Sequence, residues 1–184
     1  MQEIKREVLV NKASELLKNG TVDRVFGWKK GEFDYDITPA LFTTAEDIEK
    51  EFVWGDFCGA NFSKYLVKET GKSENKVLVF LKPCDTYSFN QLLTEHRFDR
   101  EKVYAVGVPC NGMLDTGKIK SNAEGIAKIT DNGDNVTIET LFDGEITLDR
   151  NELLPDRCLN CKSKKHVAYD ELLGEDGTVL DSHR

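Results

Sequence analysis

The side chains in this sequence best suited to chemistry are its cysteines. There are five, Cys58, Cys84, Cys110, Cys158 and Cys161. They are too few and too dispersed for the disulfide framework of a small secreted protein, and an odd number leaves at least one thiol unpaired. Cys84 and Cys110 each follow a proline at the end of an apolar run, while Cys158 and Cys161 form a Cys-x-x-Cys step. In a reducing compartment, thiols grouped in this way bind metal or do redox work. The plainer alternative, an inert core thiol, applies most readily to Cys58, because free cysteine is among the most buried side chains.

Four thiols meet the ligand requirement of a 4Fe-4S or 2Fe-2S cluster or of a structural zinc ion. The Cys-x2-Cys-x2-Cys run of ferredoxins is absent, and only one of the two knuckles of a zinc ribbon is present, which favours iron and sulfur. A thioredoxin-like dithiol is disfavoured, because that motif opens a helix after a first strand and does not sit in a C-terminal tail. Lys162, Lys164, Lys165 and His166 follow Cys161 directly. Positive charge there would lower thiolate pKa values and offset the negative charge of a cluster; the competing reading is a solvated loop.

The elements that must position these thiols are legible in an internal repeat. Lys76 to Cys84 and Lys102 to Cys110 align without a gap, each a predicted strand ending at Pro-Cys, with a predicted helix over 85–97 between them. A strand-helix-strand unit makes its two strands parallel with a right-handed crossover, so both cysteines leave the same edge of the sheet. Open α/β sheets hold ligands beyond that carboxyl edge. Neighbouring strands lie about 4.8 Å apart, within reach of a shared ligand. Proline is expected to end each strand's hydrogen-bond ladder and begin a loop.

Around this unit the sequence predicts an amphipathic helix over 4–18 closed by Gly20, a strand over 21–28, and an extended segment over 40–43. A capping box at Thr44 opens a helix ending near Val53, and a further helix spans 61–68. Residues 111–125 read as loop with a short helix. Turn signals at Asp131-Asn-Gly-Asp134 and Asp143-Gly144 mark an antiparallel unit over 126–149. The tail from Pro155 carries a predicted short helix near Tyr169 to Leu173. The expected fold is α/β, a partly parallel sheet flanked by helices with a small antiparallel β insertion and a Cys-x-x-Cys tail. Three parts are expected: a core over 1–125, a small antiparallel subdomain over 126–154, and a cluster-closing tail over 155–184.

Composition narrows the function. The 184 residues are 39% hydrophobic and 32% charged, with 25 Lys and Arg against 33 Asp and Glu, a net charge of −8. That balance disfavours nucleic acid as a partner, and the lack of a long apolar segment or signal peptide points to a cytoplasmic protein without membrane insertion. No set of acid, base and nucleophile stands out, which argues against a hydrolase. His96, His166 and His183 show no metal-ligand spacing.

With these residues in view, the chain resembles the beta-subunit family of coenzyme F-420 hydrogenases and dehydrogenases, iron-sulfur flavoproteins of larger redox complexes. Gly20-Thr-Val-Asp23 is similar to the Gly-x-x-Asp opening of the family's first strand, and Thr44 to Ile48 to its Thr-x-Glu-Glu-hydrophobic helix start. Gly59 to Tyr65 resembles its Gly-Ser-Lys-Tyr segment, with Phe62 standing where the family has glycine. Lys82-Pro-Cys-Asp85 and Val106-Gly-Val-Pro-Cys110 are similar to its strand-ending cysteines. Cys158-Leu-Asn-Cys161, with Asp170-Glu-Leu-Leu-Gly174 beyond, is similar to its closing motif. The resemblance implies a 4Fe-4S cluster on Cys84, Cys110, Cys158 and Cys161, and a flavin, usually FAD, near Ser63, Lys64 and Tyr65. It also implies redox partners: hydrogenase, formate dehydrogenase or heterodisulfide-reductase-like subunits, or ferredoxin. The chain is shorter than many members of that family. The rival readings are a zinc-stabilised assembly module and a family remnant with an empty site.

Overall fold

The computed structural model describes residues 4–177, so His183 lies outside the described residues. Apolar residues at helical spacing form α1 (Arg6–Lys18), which turns Leu9, Val10, Ala13 and Leu16 inward. Gly20, at φ +76°, redirects the chain after it, a conformation that costs glycine little. Strand β1 (Arg24–Lys30) pairs antiparallel with β2 (Ile37–Phe42), which is longer than the expected segment. Thr44 caps α2 (Ala45–Glu51), its hydroxyl accepting the Asp47 N–H as the capping box predicts. That helix stops earlier than expected, because Phe52–Val53 become β3 and pair with Trp28 and Lys29 of β1.

After α3 (Ser63–Glu69) come β4 (Val77–Leu81), α4 (Pro83–Thr94), a single 3-10 turn at Arg100–Lys102, and β5 (Val103–Gly107). All five residues of β4 are buried, as an apolar run covered on both faces should be. β4 pairs parallel with β1 on one side and β5 on the other. Val77 lies beside Val103 and Leu81 beside Gly107, the same offset that separates Cys84 from Cys110, so the sequence repeat is also the strand register.

Two expectations are corrected. Pro83 and Cys84 do not begin a loop; they form the first turn of α4. Proline suits that position because its fixed φ is already helical and its missing N–H would have no partner there. Residues 169–173 are not a helix. Glu171–Leu172 form β9, parallel to the outer edge of β5. The unpaired backbone of β5 explains this: Asp170 N–H donates to the Ala105 carbonyl (2.7 Å), Leu173 N–H to that of Gly107 (2.9 Å), and the Asp170 carboxylate accepts the Ala105 N–H (2.7 Å). The main sheet therefore runs β2-β1-β4-β5-β9, with β3 on the β4 side of β1.

Three further strands, β6 (Ile126–Asp131), β7 (Asn135–Thr140) and β8 (Glu145–Asp149), form a separate antiparallel sheet. Val136 and Ile138 are its fully buried centre. They pack with Leu114, with Ile119 of α5 (Thr116–Asn122), and with Leu153 and Leu154 in and beside α6 (Arg150–Leu153). The short helix α7 (Asp156–Leu159) then carries the chain back to the main sheet. No helix among the described residues is long and apolar enough to cross a membrane.

Candidate metal centre

The four cysteines of the expected set gather at the carboxyl edge of β4 and β5. Cys84 is the second residue of α4, and Cys110 follows β5 after Val108-Pro109, where Val108 N–H donates to the Leu81 carbonyl at 2.9 Å. Cys158 lies in α7 and Cys161 just beyond it. Gly112, at φ +95°, brings the loop after Cys110 against α7; a Cβ there would sit 3.6 Å from Cys158 Cβ. The Gly112 N–H donates to Cys110 Sγ at 3.4 Å, and Cys161 Sγ donates to the Ser163 carbonyl at 3.6 Å. Cys84 reaches the surface, while Cys110, Cys158 and Cys161 are half-buried.

The electrostatics link the set. Although Cys84 is partly solvated, its sulfur is hemmed in enough that loss of hydration is the main cause pushing its pKa up to about 12; the Asp85 charge follows, and Cys110 and Cys161 add smaller increments. Burial likewise raises the Cys110 pKa, relieved by the Gly112 N–H and Lys82 and raised further by Cys158. Cys84 and Cys110 thus each feel other members of the set. Among the described residues, no three His, Cys, Asp or Glu side chains stand close enough together to hold a metal ion as they are. The thiols share an edge without forming a closed coordination shell.

Beneath this edge lies a residue that sequence reasoning missed. Lys82 is 2% exposed. Its Nζ donates to the carbonyls of Cys58 (3.1 Å) and Ala60 (2.9 Å), pairs with Asp85 Oδ2 (2.9 Å), and lies 5.3 Å from the centre of the Trp28 ring. Asp85 also accepts the Lys82 backbone N–H at 3.1 Å, capping α4. A buried cation survives only with such partners. Its charge lowers the thiol pKa at Cys58, Cys84 and Cys110. Cys58 itself is buried in the main core, and loss of hydration pushes its pKa up to about 12.

His166, which the sequence presents only as the end of the basic run after Cys161, is instead a buried anchor. Its ring is buried, with Nε2 donating to the Leu81 carbonyl at 2.9 Å and Nδ1 bonded to Asp176. A Cβ on Gly107 would lie 2.9 Å from the His166 ring and 2.8 Å from Leu172, so glycine is what lets the tail cross the end of β5. The signal available in the sequence was the strand-ending Gly107 beside a late histidine.

The residues implied for a flavin are placed differently. Ser63 is fully buried and its hydroxyl donates to the Asp85 carbonyl at 3.1 Å. Tyr65 packs on Phe26 and Phe62, and Phe62 stacks into the core against Trp28 at 4.4 Å between ring centres. Only Lys64 is exposed, its Nζ 5.0 Å from the Tyr65 ring centre. The Ser63 hydroxyl and Tyr65 ring are committed to the protein, so this segment as it stands does not fit a flavin cradle. The four thiols fit a four-iron cluster by donor chemistry, all sulfur and all from one edge.

Fold and site together define a class: an α/β protein whose parallel sheet brings cysteine thiols to its carboxyl edge. No family model matches the chain. It is 28% identical over 99 residues to the F420-dependent formate dehydrogenase subunit beta of Methanocaldococcus jannaschii, spanning 54% of this chain and 26% of that protein. To the F420-dependent formate dehydrogenase 1 subunit beta of Methanococcus maripaludis it is 31% identical over 99 residues, 54% of this chain and 25% of the relative. The chain thus matches about a quarter of the length of these curated relatives. A chain of the F420-reducing NiFe hydrogenase complex from Methanosarcina barkeri shares the fold, with a TM-score of 0.62 over 82% of this chain and 57% of that one, at 18% identity. The likeness to coenzyme F-420 hydrogenase and dehydrogenase beta subunits read from the sequence is borne out.

Proposed function

We propose that this chain is an electron-transfer component of a redox complex, holding a 4Fe-4S cluster on Cys84, Cys110, Cys158 and Cys161. One observation carries the reading: two parallel strands in matched register, and a tail that returns across their ends, bring four thiols to one edge. A cluster bound there would supply a one-electron donor and acceptor. The protein's part is to hold and tune it. Raised thiol pKa values keep Cys84 and Cys110 protonated until metal binds, so loading must release protons and grows easier as pH rises. Lys82 places one fixed positive charge beneath the sulfurs, and the bonds of Val108 and His166 to the Leu81 carbonyl fix the strand ends. The relatives' names support a formate dehydrogenase or hydrogenase assembly as the parent complex, with coenzyme F-420 as the two-electron carrier it would serve.

The test is purification without oxygen followed by iron, sulfide, zinc and flavin analysis. Broad brown absorbance near about 400 nm with iron and sulfide in cluster ratio is expected for thiolate-bound iron. A colourless protein with stoichiometric zinc would favour a structural module instead. Additional yellow bands would extend the proposal to FAD, held elsewhere than on Ser63 and Tyr65.

A further inference from the structure

The tail crosses the cysteine edge as a cationic strap. Arg157, Lys162, Lys164 and Lys165 fall within nine residues that contain no acid, in a chain whose net charge is −8. Among the described residues, none of these four side chains forms an ion pair, whereas Lys18, Lys29, Lys30 and Lys72 on the surface of the main sheet layer each do. The strap is anchored by backbone and core contacts. Val167 N–H donates to Thr86 Oγ1 at 3.1 Å, His166 is pinned to the end of β4, and Gly177 N–H donates to the Lys164 carbonyl at 3.1 Å. Its cations therefore project from a fixed segment.

Apolar side chains break the surface beside them. Leu159, between the two tail cysteines, is 50% exposed; Val167 is 46% exposed; Tyr87, one helical turn beyond Cys84, is 48% exposed. Val167 N–H donates to Thr86, the neighbour of Tyr87, and Leu159 adjoins Cys158; exposed aromatic and aliphatic groups beside unpaired cations are the constituents of a protein interface. It lies where a cluster would come nearest the surface, at the exposed Cys84.

Resting on the cluster reading, we propose that the strap from Arg157 to Val167, together with Tyr87, is the docking face for an acidic electron-carrier protein, which delivers or collects electrons at Cys84. Charge complementarity selects the partner. A locally positive patch on an otherwise negative molecule orients an acidic protein with this edge toward it and the rest of the surface away. The exchange is a single-electron transfer: the reduced carrier is oxidised by one electron, the cluster is reduced by one, and no bond is formed or broken.

The experiment uses the full chain reconstituted anaerobically with iron and sulfide, and a photoreduced acidic bacterial ferredoxin as the probe. Stopped-flow bleaching of the cluster should slow about tenfold as salt rises from about 20 mM to about 300 mM, because screening shortens the reach of the steering field. The double variant Lys162→Glu, Lys165→Glu should lose about tenfold of the low-salt rate and most of its salt dependence while dithionite still bleaches it, and Lys162→Arg, Lys165→Arg should keep the wild-type behaviour. Leu159→Ser should weaken ferredoxin binding without altering the salt slope. A loaded protein whose rate ignores salt and the glutamate double variant overturns the docking face alone, as does equal competition by an oligodeoxynucleotide matched in charge to the ferredoxin. A wild-type protein that takes up no iron overturns the cluster reading and this inference with it.

Discussion

The two sheets of this molecule are built on opposite terms. In β4 every residue is buried, whereas β8 alternates exposed and half-buried residues along its length. The central strand β4 is covered on both faces, and β4 and β5 run end-on into the cysteine edge. The small sheet has one wet face, and its turn at 141–144 exposes Leu141 and Phe142 to 67% and 84%. A strand sealed on both faces cannot shift without disturbing what lies at its end, so precision is concentrated where the sulfurs are. A half-wet sheet can change its outer face with little effect beyond itself.

The comparison breaks outright if the cysteines are not equivalent in role. Cys84→Ser or Cys110→Ser should abolish iron retention after anaerobic reconstitution, while Cys58→Ser should keep the full iron load; equal loss from all three would mean that the set is wrongly chosen. Next in size, Phe80→Ala in β4, where the side chain is fully buried, should lower unfolding stability by about 4 kcal/mol in denaturant titration. A loss under about 1 kcal/mol would show that the main sheet is not the rigid partner supposed here.

A pH scan sharpens the same contrast. Burial raises the folded-state pKa of Cys58 from the usual value near 9 to about 12. A raised pKa contributes stability that is fully present below the unfolded value and lost as pH climbs through the folded one. The iron-free protein should therefore lose stability above about pH 9, and Cys58→Ala should show a shallower decline over that interval in thermal melts. An unchanged slope would place the Cys58 thiol in water. Smallest of all, Phe142→Ser at the tip of the small sheet should change stability by no more than about 0.5 kcal/mol.

The sequence revealed the cysteine edge more fully than the residues beneath it. The gapless repeat of Lys76 to Cys84 and Lys102 to Cys110 was readable because an unbroken apolar run leaves little choice but a doubly covered strand. β9 was not readable: two residues, Glu171 and Leu172, carry no periodicity, and only the vacant edge of β5 makes them a strand. Burial of Lys82 was equally hidden. A lysine flanking an apolar run ordinarily reaches for water, and the carbonyls of Cys58 and Ala60 that hold it come from a loop more than twenty positions earlier in the chain. The Pro-Cys step was recognised, but its conformation was not, since proline ends a strand and begins a helix equally well.

That last difference sets an angular tolerance for the protein. Because Cys84 rides on the first turn of α4, a single residue inserted between Leu81 and Cys84 would swing its thiol by about 100° around the helix axis and away from its companions. The same insertion in the loop between α4 and β5 would leave the separation of Cys84 and Cys110 untouched, because pairing of Leu81 with Gly107 governs it. Length variation in proteins built this way should therefore collect after the helix and be absent before it.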